Sequence, residues 1–67
     1  MKQINFDEIY GVLYNGVIYM LTDYDDKYGL FINTNDLKNN NVTDNSYWKM
    51  SKRFLATNKD IEILYEG

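Results

Sequence analysis

The 67-residue chain contains neither cysteine nor histidine. Without cysteine there is no disulfide and no thiolate metal ligand, and without histidine no imidazole completes a zinc cluster. The same absences remove the commonest general base and the commonest soft nucleophile, leaving acid–base chemistry to carboxylates. An exposed carboxylate keeps a pKa near ~4, too low to donate a proton at neutral pH. The residue inventory therefore points away from an enzyme, with no cofactor and no metal expected. Glycine is sparse too: Gly11, Gly16, Gly29 and Gly67 are scattered, so no phosphate-cradling loop forms, and the length excludes a dinucleotide-binding fold. Long hydrophobic runs are also missing. The apolar stretch at residues 12–21 is interrupted by Asn15-Gly16 and falls short of the ~20 residues a membrane helix needs. No secretory leader is visible, and a cytoplasmic protein with no membrane association is expected.

What the chain does have is charge of uneven distribution and many rings. Net charge is −3, but residues 1–36 hold Asp7, Glu8, Asp23, Asp25, Asp26 and Asp36 against Lys2 and Lys27 only. The second half is mildly basic, with Lys38, Lys49, Lys52, Arg53 and Lys59 against Asp44, Asp60, Glu62 and Glu66. The acidic half would repel a phosphate backbone, which argues against duplex-DNA binding. Seven tyrosines, three phenylalanines and one tryptophan form the aromatic complement. A chain this short, expected to fold as one β-rich domain over residues 1–67, needs most of them in its core. Asn, Tyr, Ile and Lys are abundant, and their AT-rich codons point to a low-GC bacterium or its phage.

The strongest local signal is Asn15-Gly16 between two apolar arms, Ile9–Tyr14 and a second from Val17 to Thr22. A two-residue type I′ turn requires positive φ at both central positions, which this pair supplies. Apolar side chains fall at odd and even positions of both arms, so both faces of the hairpin call for cover, by closure, by another layer or by a partner. DYDDK at residues 23–27 reads as a second turn and Tyr28–Asn33 as a third strand, with Tyr28, Leu30 and Ile32 on one face and Phe31 on the other. Met1 to Glu8 reads as a polar lead-in, with Ile4 and Phe6 alternating as an edge strand. The Asn-rich stretch at 34–46 reads as a loop. Residues 45–57 admit two readings. One is a helix capped by Asp44 or Ser46; the other is a strand at Tyr47–Ser51 followed by a helical turn at Lys52–Thr57. The last segment, from residue 61 to 66, alternates, with Ile61, Ile63 and Tyr65 predicted inward and Glu62 and Glu66 outward.

This order of elements resembles a small five-stranded antiparallel barrel of the Src-homology-3 kind with one short helical turn. The resemblance is architectural and carries no function. The alternative is an antiparallel sheet packed by one helix at about residues 45–57.

Three constellations invite a functional reading. Measured against a calcium loop starting at Asp23, the run fails at Lys27, Tyr28 and Thr34, which favours an ordinary solvated turn. Asp23, Tyr24, Asp25, Asp26 and Tyr28 combine carboxylates with rigid rings, a composition suited to a basic protein surface. Trp48, Lys49, Lys52 and Arg53 interleave a ring with cations, as single-strand or nucleotide-binding sites do. The sequence thus predicts a non-enzymatic protein acting by stoichiometric protein–protein contact, such as a phage or mobile-element inhibitor of a host enzyme or defence nuclease. A nucleotide or single-stranded nucleic-acid binding barrel is the alternative, and homo-oligomerisation stays open.

Overall fold

The computed structural model describes residues 3–66; Met1 and Lys2, the start of the expected lead-in, and Gly67 lie outside the described residues. Asn15 and Gly16 take φ values of 54° and 78°, so the turn forms as its chemistry demands. It joins β1 (Ile9–Tyr14) to β2 (Val17–Tyr24) with Val12 opposite Tyr19 and Leu13 opposite Ile18. β3 (Tyr28–Asn33) pairs with β2, and β4 (Tyr47–Ser51) pairs with β3. β5 (Glu62–Tyr65) returns to β1. The result is one five-stranded antiparallel sheet in the order β4-β3-β2-β1-β5. β4 and β5 are its two edges and do not pair with each other, so the sheet is open where a barrel would close.

Side-chain packing covers the inner face of the sheet. Phe6, Ile9, Val12, Phe31, Met50, Leu55 and Ile61 form one buried cluster, with Leu55 arriving from α2 (Lys52–Thr57). Ile4, Tyr14, Tyr19, Leu21, Trp48 and Ile63 pack around it. Covering one sheet face with a helical turn is the ordinary layered solution for a sheet that is apolar on that side.

The structure decides the ambiguous segment in favour of strand then turn, and the single helix at 45–57 does not form. Asp44 and Ser46 lie in a 3-10 turn capped by Thr43 instead, and Ser51 caps α2 by accepting the Phe54 N–H at 2.9 Å. Two other expectations are corrected. Residues 6–8 form a 3-10 turn rather than an edge strand, which drops Phe6 into the core. The Asn-rich stretch is not all loop, since α1 (Thr34–Lys38) opens it. Asn33 caps α1 by accepting the Asn35 and Asp36 N–H groups. Asn40, at φ 55°, ends it: Asn40 N–H donates to Leu37 O and Asn41 N–H to Asp36 O. That pair of bonds is a Schellman stop with Asn in the left-handed position.

On the outer face the hairpin is less covered than its sequence called for. Cross-strand neighbours Leu13 with Ile18, and Met20 with Ile32 and Tyr47, share that face. Ile32 is buried there and Thr34 Oγ1 donates to the Ile18 carbonyl at 2.7 Å. Ile18 itself and Tyr10 stay exposed. At the far end of β5, Tyr65 is 57 % exposed, where the alternation had placed it inward.

Candidate functional site

β2 runs through Tyr24, two residues beyond its expected end, so Asp23 and Tyr24 are strand residues and the turn spans 25–27. A bulge between Leu21 and Asp23 precedes it, with Thr22 Oγ1 donating to the Leu30 carbonyl. Asp25 builds the turn. Its N–H donates to the Tyr28 carbonyl, and its carboxylate accepts the Lys27 and Tyr28 N–H groups at 2.8 Å each. Those bonds, first from Tyr28 and then from Lys27, hold the Asp25 pKa below the usual carboxylate range. Asp23 accepts the Tyr24 N–H. Asp26 is exposed at the tip.

The two tyrosines lie on opposite faces. Tyr24 tilts over Phe6 with ring centroids 5.4 Å apart and donates its hydroxyl to Asp7. That hydrogen bond, with smaller contributions from desolvation and from the charges of Asp7 and Glu66, raises the Tyr24 pKa. Tyr28 shares the outer face with Lys49, whose ammonium sits 4.8 Å from the ring centroid. A groove of about 340 Å³ opens between Asp23, Tyr24, Asp25, Tyr28, Leu30 and Lys49. A second, of about 270 Å³, lies on the other flank among Asn5, Asp7, Tyr24, Asp25, Asp26 and Lys52. All five residues of the acidic Tyr-flanked set therefore surround one end of the sheet.

Asp7 and Glu66 join this end although sequence reasoning did not single them out. Asp7 follows a residue that looked like strand, and its place next to Tyr24 depends on the 3-10 turn. Glu66 arrives through the β1–β5 pairing, its N–H donating to the Glu8 carbonyl. No local signal marks either.

The basic set is divided. Lys52 and Arg53 line a groove of about 560 Å³ with Asp26, Lys27, Tyr28 and Ser51. Lys49 is on the outer face, and Lys52 reaches over the Phe6 ring at 5.5 Å. Trp48 points the other way, into an aromatic cluster with Tyr19, Tyr14 and Phe54 at centroid distances of 5.2, 5.3 and 5.8 Å. Its ring and Lys49 lie on opposite sides of the sheet, because successive strand residues alternate in direction. Among the described residues no cluster of acids is arranged to hold a metal ion, and no helix is long and apolar enough to cross a membrane. Comparison with protein-family models, curated proteins and solved structures returns no match.

Proposed function

We propose that the chain is a non-enzymatic binding protein that engages a basic protein surface through the end of the sheet carrying Asp23, Tyr24, Asp25, Asp26 and Tyr28. The observation that supports this reading is the juxtaposition of two half-open tyrosine rings with four exposed carboxylates, Asp7, Asp23, Asp25 and Asp26. Tyrosine brings contact area at low entropic cost, and a carboxylate accepts two parallel bonds from an arginine. Inhibition of a host enzyme or defence nuclease by a phage-encoded protein is the setting we take for it. On architecture, we read the sheet as a Src-homology-3-like barrel left open between β4 and β5. What supports that reading is one core shared by β1, β3, β4, α2 and Ile61.

The residues are not equally suited to testing. Asp25 holds the turn and Tyr24 packs on Phe6, so changing either disturbs the fold. Asp26 and Tyr28 can be changed with less collateral effect. Affinity capture from a low-GC bacterial lysate should enrich one partner on the wild-type protein and lose it with Asp26→Lys/Tyr28→Ala. Equal recovery on both, or no specific partner on either, overturns the proposal. A short nucleic acid is the second reading, favoured only by the Lys27, Lys52 and Arg53 groove beside Tyr28. Oligonucleotide binding abolished by Lys52→Glu/Arg53→Glu would establish it instead.

A further inference from the structure

β5 is an open edge. It pairs with β1 alone, and among the described residues no strand lies on its other side. The Glu66 N–H donates to the Glu8 carbonyl at 3.0 Å, which turns the backbone groups of residue 66 toward the β1 side. These groups alternate in direction along an antiparallel strand, so those of Tyr65 and Ile63 point to the open side. A groove of about 460 Å³ lies beside the strand, lined by Lys59, Ile61, Glu62, Ile63 and Tyr65, with no residue of β1 among them. Natural edges are blunted by proline, by charged side chains such as lysine, by a bulge or by short length. Glu62–Tyr65 is short and carries Glu62 but has neither proline nor lysine, and the irregularity in this pairing lies in β1, between Ile9 and Gly11.

Charge decides what can fill the edge. Asp60, Glu62 and Glu66 face a single cation, Lys59, in this stretch. A second copy would pair β5 with itself about a two-fold axis normal to the sheet. Centred on Ile63, that pairing sets Glu62 against Leu64 of the second copy, with Asp60 in the turn before the strand. Centred on Glu62 it sets Glu62 against itself, and centred on Leu64 it sets Glu62 against Glu66. The registers centred on Glu62 and Leu64 place like charges directly opposite, which is destabilising, and any second copy brings the same acidic set to an edge that already carries it. Glu62 and Glu66 share one face of the strand, while Ile63 and the exposed Tyr65 share the other.

We propose that this edge takes an extended segment of a basic protein partner as a sixth strand. Its backbone bonds to Ile63 and Tyr65, its cations oppose Glu62 and Glu66, and its alternate apolar side chains cover Ile63 and Tyr65. The inference goes beyond the turn-centred reading, and either can fail alone.

The test is a nuclear magnetic resonance titration of the full chain with a blocked octapeptide alternating Arg and Val, against its Glu–Val counterpart. The Arg–Val peptide should slow amide exchange at Ile63 and Tyr65, while the Glu–Val peptide leaves both unchanged. Tyr65→Pro removes one outward N–H at an edge position that tolerates proline, and should weaken binding about tenfold. Glu62→Lys/Glu66→Lys should reverse the peptide preference, which keeps the test decisive even if the proline variant unfolds. Asp26→Lys/Tyr28→Ala should bind the Arg–Val peptide as the wild type does. Perturbation confined to residues 23–28, no protection at β5 with millimolar peptide, or protection that grows with protein concentration alone overturns the proposal.

Discussion

Asp25 and Tyr24 illustrate how single side chains at the turn tie stability to pH in opposite directions. The Asp25 pKa is lowered on folding, so its contribution is complete above the unfolded carboxylate pKa. It disappears as pH falls through the lower folded value. Urea midpoints measured from neutral to strongly acid pH should fall more steeply for wild type than for Asp25→Asn, which keeps an acceptor but does not titrate. Tyr24 behaves in the reverse sense. Its pKa is raised by the bond to Asp7, so the stability it supplies is present up to the unfolded phenol pKa and lost as pH rises through the folded one. Ultraviolet phenolate titration should show a late Tyr24 component that shifts earlier in Asp7→Asn. Gly11 sets a different kind of constraint. A Cβ built there overlaps the Tyr19 carbonyl on the neighbouring strand, which cannot move aside without breaking the β1–β2 ladder. Gly11→Ala should cost about 1–3 kcal/mol by urea denaturation, the usual range for overpacking.

At the scale of elements, the short helices are held by caps and by single anchors rather than by length. α2 has six residues, far below what persists alone in water, so Ser51 at its start and Leu55 beneath it hold it in place. Ser51→Ala should cost about 1 kcal/mol as a lost N-cap. Leu55→Ala should cost about 2–5 kcal/mol, because Leu55 is fully buried and its loss opens the core where α2 closes it. The ratio of these two effects, read from chemical denaturation, checks whether packing or capping dominates. Much of the element list was legible beforehand. The turn at Asn15-Gly16 follows from local chemistry, and the Tyr47–Ser51 and Lys52–Thr57 boundaries were one of two readings of the same residues. α1 was not legible as helix: its Asn-rich surroundings resemble an unstructured loop, yet Asn33 and Asn40 act there as start and stop. Asparagine serves loops, N-caps and left-handed stops alike, so its abundance alone cannot separate them.

For the whole molecule, one core joins β1, β3, β4 and α2 with Phe6 and Ile61, which predicts cooperative unfolding. Trp48 is a built-in reporter, since its ring contacts Tyr14 and Tyr19 from the hairpin and Phe54 from α2. Its fluorescence transition should coincide with the far-ultraviolet circular dichroism transition in the same urea series. Separate midpoints would show that the sheet and α2 unfold independently. The candidate site, by contrast, exists only at this scale. Asp23, Tyr24, Asp25, Asp26 and Tyr28 are contiguous and could be singled out in the sequence, but Asp7 and Glu66 reach them through the 3-10 turn and the β1–β5 pairing.

The sequence by itself determined part of the local conformation. Positive φ at Asn15 and Gly16, the two-residue alternation of Tyr28–Asn33, and the lack of thiol and imidazole chemistry all depend on a residue and its near neighbours. Only the tertiary structure decided which faces are covered, where the sheet stays open, and that Trp48 turns inward while Lys49 turns out. Those outcomes depend on contacts between distant segments, chiefly Phe6, Leu55 and Ile61 meeting over one side of the sheet. A local pattern can show that a side chain needs cover, but not which distant residue provides it.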